Sequence, residues 1–288
     1  MNLVSQAFRM LHKFLRQLRS ALLLLLLMLL IFSRFFDFGC TAMRKFAAEN
    51  RLSFFITAMR ESRLIFITGT DTGVGKTVLS AMLLSHLRAG GCHALGLKPF
   101  CSGARADVDL LRAVQARELT REEINPFYFP EPVAPLVAAR RHRRKIKLAD
   151  VLTHVTHVAR LCECLVIEGA GGLLVPLGSD FTTLELITRL GCEVIIVSRN
   201  KLGTINHTLL TVQALRQHRH TSSKSVKLVL MSGQSWDLSC NSNPHVLAEF
   251  LPSVQIFTLP FLGRNCSAPG AIKSAAKKMK KTLARLLQ

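Results

Sequence analysis

The chain has 288 residues, 49% of them apolar, with a formal charge of +20 from 38 basic and 18 acidic side chains. That is enough apolar material to bury one full core or two small ones. Its eight cysteines (40, 92, 101, 162, 164, 192, 240 and 266) form no CxxC pair and no second cluster at zinc spacing, which excludes a structural zinc module and fits dispersed thiols in a reducing compartment.

The first 58 residues read differently from the rest. They hold 8 basic and 2 acidic side chains, leaving 30 basic against 16 acidic, or +14, for the remainder. Arg9, Lys13, Arg16 and Arg19 precede the apolar run Ala21–Phe32, whose 12 residues are short of the roughly 20 that span a bilayer. The pattern resembles a signal peptide, but Ser33–Cys40 lacks a small-x-small cleavage site, and Asp37 fits a lipoprotein acceptor at Cys40 poorly. Met43 and Met59 both stand before the first core strand, so an upstream stretch read from a misplaced start competes with a targeting or membrane-associating segment. The expected organisation is therefore an extension over 1–58 and one domain over 59–288, with no internal repeat or low-complexity linker.

From Arg63 onward, apolar runs alternate with amphipathic stretches. Leu64–Ile67 reads as a strand and Lys76–Arg88 as a helix. Ala94–Leu97 is a strand, Asp107–Ala116 a short helix, and the proline-rich Asn125–Pro135 a loop. Leu148–Leu161 is helical, and Leu165–Ile167 is a strand ending at Glu168. Thr182–Leu190 and Ile205–Arg216 are helices flanking the strand Val194–Val197. Val226–Met231, the helix Pro244–Phe250, the strand Val254–Thr258 and the closing helix Ala271–Leu287 complete the chain. Strands of continuous apolar character bounded by helices predict an α/β fold of the P-loop NTPase kind, with a mostly parallel sheet of about seven strands and helices on both faces. Two basic clusters, Arg140–Lys147 and Lys273–Lys281, read as a solvated loop and a solvated helix face. They carry no interleaved aromatics for stacking on RNA.

The segment Gly69-Thr70-Asp71-Thr72-Gly73-Val74-Gly75-Lys76-Thr77 follows a strand and opens a helix, the context a phosphate loop requires. Gly73 and Gly75 let the backbone turn its N–H groups inward, and the helix N-terminus adds partial positive charge. Lys76 reaches the β- and γ-phosphates of ATP, and Thr77 is placed to ligate Mg²⁺. The strict pattern has glycine where Thr70 stands. Asp71 occupies the place of the signature lysine of partition-type and septum-site ATPases, which counts against that class.

Four further segments fall at strand ends, where a parallel sheet builds its site. Lys98-Pro99-Phe100-Cys101-Ser102-Gly103 offers a lysine for a second anionic group. Asp107, with Asp109 nearby, offers carboxylates. Glu168-Gly169-Ala170-Gly171-Gly172 joins a carboxylate suited to Mg²⁺ with a flexible anion-binding loop. Lys201-Leu202-Gly203-Thr204-Ile205-Asn206-His207 opens a helix whose free N–H groups suit a substrate carboxylate.

Together with Asn125-Pro126-Phe127-Tyr128-Phe129, Pro132, Pro135 and Leu259-Pro260-Phe261-Leu262-Gly263, these segments resemble the dethiobiotin synthases, the ATP-dependent carboxylase-cyclases of biotin synthesis, in the family's order over about residues 63–265. The resemblance implies that Gly73–Val78 (Gly73, Val74, Gly75, Lys76, Thr77 and Val78) bind the ATP phosphates. It implies Thr77, Asp107 and Glu168 as Mg²⁺ ligands, with Gly169, Ala170 and Gly171 beside the nucleotide, and Pro260, Phe261 and Leu262 along the base. Lys98 is the implied active-site lysine, working with Lys76. Thr72 and Ser102 face the substrate, and Gly203, Thr204, Ile205 and Asn206 hold its carboxylate near a homodimer interface. The sequence departs from the family at Ser232-Gly233, where an asparagine usually reads adenine, and matches weakly after Cys266.

The implied substrates are 7,8-diaminopelargonic acid, CO₂ and ATP. The expected setting is cytoplasmic, without nucleic acid and with membrane contact at most through residues 1–58. Two readings compete with this one. A cobalamin-pathway amidotransferase-type ligase wants a glutaminase domain downstream. A membrane-recruited regulatory ATPase would use the apolar N-terminus and basic C-terminal helix as anchors.

Overall fold

Apolar runs without alternation fold as strands buried on both faces, and the computed structural model, which describes residues 62–217, 226–235, 237–263 and 266–288, shows this for every strand of the main sheet's centre. In β1 (Arg63–Gly69) the last five residues are buried, and β2 (Ala94–Leu97) is buried throughout. β5 (Cys164–Gly172), β6 (Glu193–Asn200), β7 (Val226–Ser232) and β8 (Gln255–Leu259) complete a six-stranded sheet in the order β2-β5-β1-β6-β7-β8, with every pairing parallel. The main sheet thus has six strands where about seven were expected. The other two strands, β3 (Phe100–Ser102) and β4 (Phe127–Phe129), pair in parallel as a separate small sheet.

Strand order and handedness place the helices. The crossover from β1 through α1 (Lys76–Ala89) runs one way along the sheet, to β2. The crossovers from β5 through α6 (Thr183–Leu190), from β6 through α7 (Thr204–Gln217) and from β7 through α8 (Ser239–Phe250) run the other way. Right-handed crossovers of opposite direction lie on opposite faces. α9 (Pro269–Lys278) and α10 (Lys280–Leu286) pack on α1 and so share its face. Between the ends of β1 and β6, whose following helices diverge to opposite faces, a crevice opens.

Several local readings are corrected. The stretch 125–135 is not one loop, because β4 lies inside it and α4 (Pro135–Arg141) begins at its last proline. α2 (Ala106–Val114) begins one residue and ends two residues earlier than expected, and α3 (Arg121–Ile124) intervenes, held by a capping box between Thr120 and Glu123. α5 spans Leu148–Ala159. α8 begins five residues before Pro244. A proline there removes the helical bond to the Cys240 carbonyl, and the Asn200 side chain donates to that carbonyl instead, at 2.9 Å. The closing helix breaks at Met279. The basic stretch after α4 is not wholly solvated, since Ile146 is buried and Arg144 lies over the Phe129 ring.

Cys162 and Cys164 are buried in the core, and burial pushes both thiols up to about 12. All seven cysteines among the described residues are free. No helix among the described residues is long and apolar enough to cross a membrane. The 1–58 extension, including the apolar run 21–32, lies outside the described residues.

Candidate active site

The phosphate loop is shaped by its glycines. Gly73 (φ 71°) and Gly75 (φ 109°) take backbone conformations that side chains resist, and a Cβ on Gly75 would meet Met231 of β7 at 3.1 Å. Gly75 caps α1 without any side-chain bond, which leaves the helix N–H groups free for an anion. Thr70 ties the loop down. Its N–H donates to the Val197 carbonyl at 3.0 Å, and its hydroxyl meets Ser198, which in turn bonds the Thr204 hydroxyl at 2.5 Å. Phosphate loop and α7 start are thus coupled through three hydroxyls. Lys76 folds back to donate to the Asp71 carbonyl at 2.8 Å. Burial lowers its pKa to about 8, with the Lys98 charge adding to the effect and Glu168 opposing it.

Beside this loop, charged groups from three strand ends converge. Glu168 lies near the end of the buried part of β5 and is only 1% exposed. Its Oε1 accepts from the Thr77 hydroxyl at 2.7 Å and from the Lys98 ammonium at 2.7 Å, and Lys98 also pairs with Asp107 at the start of α2. Burial works to lower the Lys98 pKa, but the Glu168 and Asp107 carboxylates outweigh it and hold the ammonium charged, above its ordinary value. The second oxygen of Glu168 is buried and makes no hydrogen bond. Two carboxylates and a hydroxyl, all oxygen donors with one carboxylate oxygen still uncommitted, fit a small hard cation that keeps water and phosphate among its ligands. Among the described residues, no group of three or more His, Cys, Asp or Glu side chains stands at metal distance, so a cluster of that kind is not what these residues form.

Asn125 was not among the expected site residues, yet it holds Lys98 in place. It is 1% exposed, and its side-chain amide donates to the Lys98 carbonyl at 3.0 Å and the Pro99 carbonyl at 3.2 Å. Lys98 N–H donates to the Ile124 carbonyl. Ser102, at the end of β3, keeps a buried hydroxyl with no hydrogen-bond partner, and Gly103 (φ 87°) turns the chain against Pro132. Gly171 (φ 65°) brings the end of β5 against Thr72.

A cavity of about 450 Å³ lies on the other side of the loop, lined by Thr70, Asp71, Thr72, Val175, His207 and Leu210 among others. That volume suits a small molecule. A smaller crevice joins it, reaching Gly73, Val74, Ser198, Arg199, Lys201 and Thr204. His207, the last residue of the Lys201–His207 motif, lines both, a position the sequence gives no role. Thr204 is buried, Ile205 packs against the core, and Gly203 and Asn206 are exposed. The structure therefore brings Thr72–Val78, Lys98, Asp107 and Glu168–Gly171 together, with Gly203–Asn206 across the crevice. Pro260, Phe261 and Leu262 follow β8 and line neither cavity.

Parallel sheet, glycine-shaped loop and buried lysine at a helix start define a P-loop protein of the class that handles nucleoside phosphates. The solved structure of pNOB8 ParA shares this fold with a TM-score of 0.50, 12% identity and coverage of 78% of this chain and 98% of that one. A family model described as an AAA domain matches residues 63–263. The ATP-dependent dethiobiotin synthetase BioD of Anaeromyxobacter sp. (strain K) is 39% identical over 220 residues, covering 74% of this chain and 98% of the relative. That of Bacillus subtilis (strain 168) is 42% identical over 156 residues, covering 52% and 68%. The chain belongs to the ATP-dependent dethiobiotin synthetase family.

Proposed function

We propose that this chain joins CO₂ to a vicinal diamine, 7,8-diaminopelargonic acid, and closes the ring to dethiobiotin at the expense of ATP. The observation that carries the reading is the placement of Lys98. A charged ammonium held by Glu168 and Asp107 beside the phosphate loop sits where two anions, a carbamate and a γ-phosphate, must be brought together.

One amine of the substrate attacks CO₂ and loses a proton, giving a carbamate. Lys98 neutralises that anion, and Lys76 with the free N–H groups of α1 neutralises the phosphate charge. A carbamate oxygen attacks the γ-phosphorus, ADP leaves, and a carbamic-phosphoric anhydride forms. The second amine attacks the carbonyl carbon, loses its proton and expels phosphate, closing the ureido ring. Thr77, Asp107 and Glu168 are the residues that would hold Mg²⁺, which when bound supplies charge neutralisation at the phosphates. Thr72 and Ser102 face the diamine, and the start of α7 over Gly203–Asn206 receives its carboxylate. Gly169–Gly171 flank the nucleotide, and Pro260–Leu262 lie along its base. The exposed Leu174, Leu202 and Leu210 beside the crevice support a homodimer that covers them. An enzyme that spends ATP on small molecules works in the cytoplasm and needs no nucleic acid.

The test is phosphate release by the full chain with Mg-ATP and bicarbonate, with and without the diamine, while the ureido product is followed. Release that requires the diamine and matches product is expected, and Lys98→Ala should lower turnover at least 100-fold, in the range seen when one electrostatic contact to a reacting anion is lost. Diamine-independent hydrolysis, or a folded Lys98→Ala variant turning over normally, overturns the reading.

A further inference from the structure

Lys98 follows the last residue of β2, and β2 is an outermost strand of the main sheet, bonded to β5 on one side only. Its other edge offers backbone N–H and C=O groups that no strand pairs, and burying such groups unpaired is costly. Side chains close this edge. Arg88 donates to the Ala94 carbonyl at 2.9 Å. Gln115 accepts from the Gly96 N–H at 2.8 Å through Oε1 and donates to the Gly96 carbonyl at 3.3 Å through Nε2. The Ile124 carbonyl and the Asn125 amide take the two backbone groups of Lys98. Gln115 thus stands in for a neighbouring strand at Gly96, two residues before the lysine. A Cβ on residue 96 would lie 2.9 Å from Leu84 Cδ2, so the close packing of α1 admits glycine alone, and glycine restrains the backbone least.

Gln115 is fully buried, and among the described residues its side-chain amide bonds Gly96 alone. The backbone is strained to keep it there. Immediately after it, Ala116 (φ 56°) and Arg117 (φ 61°) both take the left-handed conformation that side chains resist, and their N–H groups turn back to the Ala113 and Arg112 carbonyls. Strain of this kind persists where the surroundings fix it, and it gathers at functional sites. α2 therefore grips the end of β2 from both its own ends. Asp107 holds the Lys98 ammonium, and Gln115 holds the backbone that leads to it.

We infer that Gln115 is a positioning residue for Lys98: by fixing Gly96 it sets where β2 ends, and so where the ammonium stands between Glu168 and Asp107. Its effect on turnover rests on the proposed reaction, whereas its effect on the β2 backbone does not.

The experiment combines turnover assays and amide hydrogen exchange on the full chain, for the unaltered protein, Gln115→Met, Lys98→Ala and the two substitutions together. Methionine matches glutamine in length but offers Gly96 neither bond. In Gln115→Met, kcat is expected to fall about tenfold with KM for ATP within about twofold, since a 1 Å displacement of a reacting group costs up to about 100-fold. In the Lys98→Ala background, followed as labelled product, the same substitution is expected to cost about twofold or less, because its effect runs through the missing ammonium. Exchange of the Gly96 and Lys98 N–H groups is expected to quicken about tenfold more than that of Ile196 in β6, which tells local loosening from general loss of stability. Should Gln115→Met not fold, Gln115→Asn, one methylene too short for Gly96, is read in the same way. Unchanged kcat in a folded Gln115 variant overturns the inference. So does an equal loss with and without Lys98, which would make Gln115 act elsewhere, or exchange at Gly96 and Lys98 that rises no more than at Ile196. If the unaltered protein makes no ureido product, the proposed reaction falls and the exchange measurement alone decides the positioning.

Discussion

Lys76 is nearly buried in a site that also holds the Lys98 charge, and this sets a pH window. Its pKa falls from 10.5 in the open chain to about 8, burial being the largest cause. The unfolded chain therefore binds more protons than the folded one between about pH 8 and 10.5, and stability gains from Lys76 as pH rises through that window. Below about pH 8 the charge is present in both states and its burial costs in full. Bound phosphates reverse the preference, because they hold the ammonium charged. Nucleotide affinity should thus be flat below about pH 8 and fall toward tenfold per pH unit above it. Calorimetry in buffers of different ionisation heat should detect proton uptake on nucleotide binding near pH 9, absent near pH 7, and missing in Lys76→Met. Uptake at pH 9 that persists in Lys76→Met assigns the titration elsewhere.

At the scale of the element, the end of β5 decides whether Glu168 and Thr72 face the same site. Gly171 sits at φ 65°, and a Cβ there would lie 2.8 Å from Val175 Cγ2 and 3.7 Å from the Thr72 hydroxyl. Gly171→Ala must shift the strand end or the Thr72 loop, at a cost of about 1–3 kcal/mol, and should lower turnover along with stability. Gly91, at φ 86° after α1, has open space around its would-be Cβ. Gly91→Ala should cost about 1–2 kcal/mol of backbone strain and leave turnover unchanged. Urea unfolding and steady-state assays on the pair separate local strain from damage to the site. Equal turnover in both variants would show that the β5 end does not set the site.

Over the whole molecule, the helices that follow the last strand brace the one that carries the phosphate loop. Ile272, Ala276, Leu283 and Leu286 of α9 and α10 are buried on the α1 side, and Lys227 of β7 donates to the Leu286 carbonyl at 3.0 Å. Leu283→Ala should destabilise by about 2–5 kcal/mol, the usual range for such a core deletion. It should leave nucleotide Kd unchanged at 25 °C, since Leu283 is buried in the core and lines neither cavity of the site. A change in m-value together with altered Kd would mean instead that the closing helices belong to the site's own cooperative unit.

How much of this was legible beforehand follows from how local each signal is. Gly73, Gly75, Lys76 and Thr77 are read together because a phosphate loop is a continuous segment whose backbone makes the site. The apolar runs that became β1, β2, β5 and β6 were legible because central strands buried on both faces carry no polar interruption, whereas β8, at the sheet edge, alternates buried and exposed residues. β3 and β4 were not, since three residues show no period and their stability comes from pairing with each other. Pro244 reads as the start of α8 because proline normally begins a helix, and only Asn200, 44 residues earlier, makes an internal proline acceptable. Asn125 stands in a segment that carries the resemblance, but its role is not legible there, because that role exists only where it meets the Lys98 and Pro99 carbonyls. By itself, then, the sequence determined the alternating α/β order, the phosphate loop and the residue types at the strand ends. Only the tertiary structure decided that Lys98, Asp107, Glu168 and Thr77 share one charge cluster, because strand order in the sheet, not distance along the chain, determines which strand ends are neighbours.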